Sequence, residues 1–114
     1  HDIDWIVPHG IGTRITDLHE ARAIAKVFAG LKTFDTTAFK GYVGHNLGSC
    51  ALLETAILLM CMKENHIPKS LNSEPIDPEI KIRLTTKTAS KKIRTCLKLS
   101  CGFAGYNGAI VLQR

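Results

Sequence analysis

The stretch Ile-Asp-Trp-Ile-Val-Pro-His-Gly-Ile-Gly-Thr, residues 3–13, decides the fold that the sequence predicts. Its first part, Ile3 to Val7, is β-prone and ends at a proline, so it predicts a short strand. A glycine-rich turn follows, and apolar residues then recur at helical spacing. Asp17 and Glu20 fit a capping box, which predicts a helix with Asp17 as its N-cap. This order of strand, turn and helix places His9 where α/β folds build their sites.

The rest of the chain is predicted to contain one long apolar helix and several short strands. The helix runs from about Leu47 to Lys63, and Asn65 and Pro68 end it. The predicted strands are Thr36–Phe39, Ile80–Leu84, Ile93–Ser100 and Ala109–Leu112. The last two strands flank a tight turn at residues 102–105, which predicts a β-hairpin.

Composition limits the classes of protein to which the chain can belong. With 114 residues, 45% of them hydrophobic and 22% charged, it predicts one small globular domain with a modest core. The longest apolar stretch, Ala51 to Met62, contains Glu54 and Thr55 and is too short and too polar to span a membrane. The chain begins at His1 without a methionine or a signal-like segment, which predicts a fragment of a cytoplasmic protein.

Basic residues concentrate in the C-terminal third of the chain, which carries much of the net charge of +5. Such a run is most often a solvated surface, but it could also be a docking face for an acidic partner. A nucleic-acid surface is disfavoured, because no aromatic residues interleave with the charges and no nucleic-acid motif is present. The residues of this basic run are Lys81, Arg83, Lys87, Lys91, Lys92, Arg94 and Lys98.

Four residues form the strongest candidate site: His9, Lys40, His45 and Glu54. Both histidines lie in glycine-flanked turns, where backbone can approach a ligand closely. His45 directly precedes the long helix, whose positive dipole end favours a neutral imidazole or a bound anion. Glu54 falls inside an otherwise apolar helix, and a buried glutamate needs a partner, for which Lys40 is the natural candidate. We expect a semi-buried pair that fixes the loop carrying His45. Such a set could stabilise negative charge on a thioester or an enolate. The histidines could instead be structural, and the ion pair a plain surface contact.

The four cysteines, Cys50, Cys61, Cys96 and Cys101, contain no CxxC pair and no zinc-like spacing. Cys50 lies in the first turn of the long helix, where the dipole favours a thiolate, so it is a conceivable nucleophile. Its small neighbours favour a buried, inert thiol instead. Cys50 and Cys61 could in principle bind a metal together with His45 or His66, but their spacing matches no known zinc pattern, so we expect no metal site.

Four blocks of the sequence, in order, resemble the C-terminal part of a β-ketoacyl synthase, a condensing enzyme of the thiolase-like superfamily. The first is His-Gly-Ile-Gly-Thr, residues 9–13, followed by Asp17 and Glu20, and the second comprises residues 40–51 with Glu54. The third is residues 67–72, and the fourth is Ser-Cys-Gly-Phe-Ala-Gly-Tyr-Asn-Gly, residues 100–108. The resemblance implies an α/β thiolase-like layered fold, of which residues 1–114 are an incomplete C-terminal half with a mixed β-sheet packed on helices.

The resemblance also implies an activity: the decarboxylative Claisen condensation of malonyl-ACP with an acyl thioester, in fatty-acid or polyketide synthesis. In that mechanism the two histidines stabilise the enolate left by decarboxylation, and the lysine–glutamate pair sets the electrostatics of the site. The backbone N–H of Phe103 completes an oxyanion hole for the acyl thioester, and its ring gates the acyl pocket. The implied residues are His9, His45 and Lys40 for catalysis, Glu54 and Phe103 in support, and Thr13 on the pantetheine arm.

The resemblance implies partners as well. The nucleophilic cysteine of the family lies in an N-terminal half that this chain does not contain, so the chain alone is expected to be inactive in condensation. Acyl carrier protein, whose phosphopantetheine carries the substrates, is one expected partner, and a second subunit in a homodimer or heterodimer is another. Two alternatives stay open: a chain-length-factor-like subunit without the nucleophile, and a stand-alone module that binds acyl carrier protein.

The chain departs from the family pattern at four positions. Ile11 stands where the family has threonine, and Cys101 and Tyr106 stand where it has phenylalanine and threonine beside the pocket. Ala104 replaces a turn glycine, and alanine costs stability if that position has a left-handed backbone. These changes leave the acyl substrate open.

Overall fold

A mixed four-stranded β-sheet forms the centre of the computed structural model, which describes residues 3–30 and 34–114. The strands are β1 (Trp5–Val7), β2 (Asp35–Thr36), β3 (His66–Ile67), β4 (Ala89–Ser90), β5 (Thr95–Cys101) and β6 (Asn107–Gln113). The helices are α1 (Arg14–Val27), α2 (Lys40–Val43) and α3 (Cys50–Glu64). The sheet has the order β2-β1-β5-β6, in which β1 runs parallel to β2 and β5, and β6 runs antiparallel to β5. This confirms the predicted α/β class and its mixed sheet.

Helices cover both faces of this sheet, because alternate residues of its central strands point to opposite sides. One apolar cluster joins the sheet to α3 and contains Trp5, Val7, Cys96, Leu58 and Met62. The other joins the sheet to α1 and contains Ile6, Leu97 and Ile24. The result is three layers, α1, sheet and α3, with β1 and β5 buried between the helices.

Helix α1 begins earlier than the sequence predicts. Its N-cap is Thr13, four residues before Asp17, so the predicted capping box was wrong. Asp17 lies in the first turn, and its backbone N–H donates to the carbonyl of Thr13 at 2.9 Å. The carboxylates of Asp17 and Glu20 bind N–H groups of the preceding glycine turn instead of capping the helix. The sequence therefore has the spacing of a capping box, but the two carboxylates bind the neighbouring loop.

The second half of the chain follows the predicted pattern at α3 and at the β5–β6 hairpin. A short 3₁₀ turn at Leu47–Ser49 precedes α3, which itself begins at Cys50. The predicted strand Ile80–Leu84 was wrong, since within this segment only Leu84 makes a bridge, to Thr36. Helix α2 and the β3–β4 pair were not predicted, because elements of two to four residues are too short to produce a periodic pattern.

Apolar side chains remain exposed on the outer surfaces of α3 and β6. They are Leu52, Leu59, Met60, Ile110 and Val111. Strand β6 also forms an edge of the sheet. Exposed apolar patches and open strand edges are normally covered by another domain or chain, so this surface fits the expectation of an incomplete half, which stays a prediction. Within the described residues, no helix is long and apolar enough to cross a membrane.

Candidate active site

An open cleft of about 760 Å³ lies beside the C-terminal end of β1, the start of α3 and the β5–β6 turn. Its walls include the two predicted histidines, His9 and His45, and Phe103 of the turn. Two cysteines, Cys50 and Cys101, also line it. Segments distant in sequence meet here because β1 and β5 are parallel neighbours, so the residues that follow both strands lie at the same edge of the sheet.

The remaining predicted site residues lie outside the walls of the cleft. Lys40 and Glu54 are both almost fully buried next to it, and Lys40 Nζ donates to the carbonyl of His9 at 2.5 Å. Thr13 is exposed at the N-terminus of α1 and does not line the cleft. Its place on a substrate arm stays a prediction.

The turn that carries His9 is held by a carboxylate of α1. Glu20 accepts the backbone N–H of His9 at 2.6 Å with one oxygen and that of Gly10 at 2.9 Å with the other. Gly10 has φ of 51°, and a Cβ placed there would lie 2.8 Å from the Cβ of Ala38. Only glycine therefore fits this position, both in conformation and in space. Asp17 accepts the N–H of Gly12 at 3.1 Å and fixes the rest of the turn.

The two histidine rings meet edge to face. Their centroids lie 5.7 Å apart, with an interplanar angle of 79°. Nδ1 of His45 accepts the backbone N–H of Leu47 at 3.0 Å, so in the neutral ring the proton is on Nε2. Burial lowers the pKa of His9, and the positive charges of Lys40 and Lys98 and the neighbouring His45 lower it further, while Glu54 opposes them. A neutral His9 at pH 7 can donate a hydrogen bond without carrying a charge.

A buried cluster of three charged residues lies behind His9. Lys40 Nζ is 2.8 Å from Oε1 of Glu54, and Lys98 Nζ is 2.6 Å from Oε2. The first contact has hydrogen-bond geometry, whereas Oε2 has no partner with such geometry among the described residues, so the second contact is mainly ionic. The predicted Lys40–Glu54 pair is confirmed, and it is buried rather than semi-buried. Through Lys40 it anchors the backbone of His9.

The position of Lys98 corrects the sequence interpretation. The sequence grouped it with the solvated basic run, but its side chain is only 2% exposed. It also donates to the carbonyl of Pro8 at 3.3 Å, and to its neighbour Leu99. The alternation of β5 contained a signal: Lys98 lies two residues after Cys96, so both point towards α3. Within the same run Arg83 and Lys91 pair with Asp35 at 3.3 and 2.9 Å.

The β5–β6 turn carries Phe103 at the rim of the cleft. Phe103 is 92% exposed and begins a 3₁₀ turn, Phe103–Gly105. The next residue, Ala104, has φ of 57° and ψ of 24°, which is the left-handed region. The position therefore has the conformation that favours glycine, which is the condition under which alanine was expected to cost stability.

Cys50 is buried at the start of α3. Its Sγ accepts the N–H of Asn46 at 2.9 Å and lies 3.6 Å from Nδ1 of His45. Because that Nδ1 already accepts the N–H of Leu47, it is a poor base for the thiol. Across residues 3–30 and 34–114, no group of three or more His, Cys, Asp or Glu side chains is arranged to hold a metal ion.

Comparison with known proteins identifies the family. The family model described as Beta-ketoacyl synthase, C-terminal domain, matches residues 1–74. The chain therefore belongs to the β-ketoacyl synthase family, as the four sequence blocks predicted. Its structure is similar to a type II PKS ketosynthase solved with its acyl-carrier protein and bound to the hexaketide, with a TM-score of 0.91 and 26% identity. That match covers 97% of this chain and 28% of the ketosynthase, and it confirms the predicted fold class.

Two curated relatives give the same picture. The 3-oxoacyl-[acyl-carrier-protein] synthase 1 of Buchnera aphidicola subsp. Schizaphis graminum (strain Sg) is 39% identical over 113 residues, or 98% of this chain and 28% of the relative. Actinorhodin polyketide putative beta-ketoacyl synthase 1 of Streptomyces coelicolor is 32% identical over 114 residues, or 98% of this chain and 24% of the relative. The chain spans about a quarter of the length of the relatives it matches.

Proposed function

We propose that this chain is the C-terminal portion of a 3-oxoacyl-ACP synthase that condenses malonyl-ACP with an acyl thioester in fatty-acid or polyketide synthesis. One observation carries the proposal: two histidine rings, 5.7 Å apart, line one cleft, and a buried Lys–Glu–Lys cluster supports the turn of the first. Two imidazole N–H donors beside positive charge are suited to an oxyanion that forms during the reaction.

The chemistry follows from that arrangement. Malonyl thioester loses CO₂, and the electron pair of the broken C–C bond forms an enolate whose charge rests on the thioester oxygen. Nε2–H of His45 is free to donate to that oxygen because Nδ1 accepts a backbone N–H. His9, kept neutral by burial and by its positively charged neighbours, supplies the second donor. The enolate carbon then attacks the acyl thioester carbon, and the thiolate that carried the acyl group leaves.

The thiolate that carries the acyl group is expected to come from the N-terminal half of the synthase. Cys50 does not suit this role, because it is buried and its histidine neighbour is already engaged. Residues 1–114 alone are therefore expected to be inactive in condensation. Phe103 lies at the rim of the cleft. Its ring is proposed to gate an acyl group, and its backbone N–H to complete an oxyanion hole.

The expected partners follow from the same role. Acyl carrier protein delivers both substrates on phosphopantetheine, and the exposed members of the basic run, such as Lys87 and Lys92, offer a surface for an acidic protein. The structural relative was itself solved with its acyl-carrier protein. We also propose a homodimeric or heterodimeric cytoplasmic assembly, with no metal and no cofactor besides the carried phosphopantetheine.

The test uses the full-length protein that contains this chain, purified with its partner subunit if it has one. His9→Ala and His45→Ala should each lower malonyl-ACP decarboxylation and condensation about 10²–10³-fold, as expected for the loss of an oxyanion donor. His66→Ala is the matched control, since His66 is an exposed histidine of β3 outside the cleft. Full-length protein that binds acyl carrier protein but has no activity, and takes no acyl label on a cysteine, would instead favour a chain-length-factor-like subunit. A stably folded, monodisperse isolated chain would favour a stand-alone binding module.

A further inference from the structure

We propose that Lys98 is a positioning residue of this site: with Lys40 it holds Glu54 and the Pro8–His9 backbone in place, and its charge disfavours the protonated His9 ring. The proposal rests on the proposed function, in which a neutral His9 donates to the enolate. It adds a residue from a different strand to the predicted lysine–glutamate pair.

The sheet register places Lys98 at this point. Strands β1 and β5 are parallel neighbours, and Val7, the last residue of β1, pairs with Lys98. The residue after Val7 is Pro8, whose carbonyl accepts from Lys98 Nζ at 3.3 Å. The following residue is His9, whose carbonyl accepts from Lys40 Nζ. Two consecutive carbonyls of the turn are therefore each held by a buried ammonium group.

The cluster carries an excess of positive charge. Glu54 lies between two lysines, with one at 2.8 Å and the other at 2.6 Å, so one buried carboxylate balances two ammonium groups. Burial and the charge of Lys40 lower the pKa of Lys98, while Glu54 and, more weakly, Glu20 raise it. Stability alone does not explain a second buried lysine, because an apolar side chain of similar size usually stabilises a core at least as well.

The excess positive charge acts on His9. Charged or titratable groups surround this residue on all the neighbouring elements. They are Lys40 of α2, Lys98 of β5, Glu54 of α3, His45 of the loop before α3, and Glu20 of α1, which holds the backbone of His9. The two lysines lower the pKa of His9 and Glu54 raises it. Removing Lys98 leaves Lys40 and Glu54 as a neutral pair, so the protonated imidazole becomes easier to form. The acid limb of the activity should then move to higher pH.

The experiment compares Lys98→Met with Lys92→Met in the full-length protein. Lys92 is an exposed lysine of the same segment, so it controls for the loss of one positive charge. The primary readout is the NMR titration of the His9 ring, with its signals assigned through His9→Asn. We expect Lys98→Met to raise the pKa of His9 by about half a unit to one unit, a change of roughly 3- to 10-fold in its protonation constant. We expect Lys92→Met to leave it unchanged.

Two further variants keep the proposal open to refutation. Lys98→Arg keeps the charge and should retain the wild-type His9 titration, and Lys98→Gln should behave as Lys98→Met if the latter fails to fold. A merely structural role predicts lower melting temperatures in the variants with His9 titrating as in wild type, and that result would overturn the proposal. The His9 titration is measured without enzymatic turnover. An inactive full-length protein would therefore refute the proposed function, while the titration would still decide the role of Lys98. In an active protein, the acid limb of decarboxylation should move with the His9 titration.

Discussion

Glu54→Gln should be among the most destabilising single substitutions in the chain, because it removes the one negative charge that separates two buried lysines. The glutamine has nearly the same size as the glutamate, so packing is preserved and the change is almost purely electrostatic. After the substitution, the ammonium groups of Lys40 and Lys98 share a buried space with no counter-ion among the described residues. Both lysine side chains are buried, with exposed fractions of 5% for Lys40 and 2% for Lys98.

The magnitude follows from the distances. At separations of 2.8 and 2.6 Å, each ion pair has a gross Coulomb energy of about 6 kcal/mol at an effective dielectric constant of about 20. Relaxation and deprotonation of a lysine limit the net loss, and breaking a buried pair typically costs about 3–5 kcal/mol. Lys40→Met should cost less than about 2 kcal/mol, because Glu54 keeps Lys98 as its partner. We therefore expect a much larger loss of unfolding free energy for Glu54→Gln than for Lys40→Met. This order is specific to a carboxylate shared by two lysines.

Equilibrium urea unfolding of the full-length protein measures these differences. Glu64→Gln is the matched control, an exposed glutamate at the end of the same helix, and it should change the free energy of unfolding by less than about 0.5 kcal/mol. Equal losses for Glu54→Gln and Lys40→Met would refute the shared arrangement. A loss for Glu54→Gln no larger than that of Glu64→Gln would refute the burial of the cluster.

The pH dependence provides a second check on the same cluster. The folded-state pKa of Lys98 is lowered from its ordinary value of 10.5, so the folded protein binds fewer protons than the unfolded chain at alkaline pH. The free energy of unfolding therefore increases, so the folded state is stabilised, as pH rises from the lowered pKa towards 10.5. Glu54 raises the pKa of Lys98, so in Glu54→Gln this pKa is lower and the stabilisation with rising pH begins at lower pH. The deficit of Glu54→Gln should consequently shrink as pH increases from 7, and a constant deficit would contradict the assignment.

Three further predictions concern other parts of the chain. Ala104→Gly should stabilise the full-length protein by up to about 1 kcal/mol in thermal unfolding, because it relieves a left-handed alanine, whereas Ala109→Gly in β6 should destabilise it. Cys50→Ser should retain condensation within about tenfold, against the loss of about 10⁶ that follows removal of a true nucleophile, and a loss of that size would restore Cys50 as the nucleophile. The isolated chain should show a low melting temperature by circular dichroism and self-association by size-exclusion chromatography, because apolar side chains of α3 and β6 are exposed. A stable monomer would show that the chain needs no further half to fold.

The candidate site could be predicted in part from local pattern. His9 and His45 were identified because each lies in a glycine-flanked turn next to a strand or helix, and the structure places both in one cleft. Glu54 was identified because a glutamate in an apolar helix needs a buried partner, and Lys40 is that partner. These residues had signals within a few positions of themselves, which is the range over which sequence pattern is informative.

Other features left a local signal that pointed to the wrong role. Asp17 and Glu20 have the spacing of a capping box, but their carboxylates bind N–H groups of the preceding turn, because that turn folds back over the first turns of the helix. Lys98 belongs to a run of lysines and arginines that is mostly exposed, and its own charge predicts exposure. Lys98 is buried because its strand, β5, pairs with β1, which lies about ninety residues earlier in the chain.

The sequence by itself determined the family, the α/β class, the histidine pair and the lysine–glutamate pair, because these rest on periodicity, glycine turns and blocks of adjacent residues. The tertiary structure alone decided that Lys98 joins Glu54, that Glu20 holds the His9 turn, and that Thr13 stays outside the cleft. The physical reason is the pairing of β5 beside β1, a contact between distant segments whose register fixes which side chains meet. A charge that looks solvated in the sequence becomes part of a buried cluster when its strand lies at the centre of a sheet.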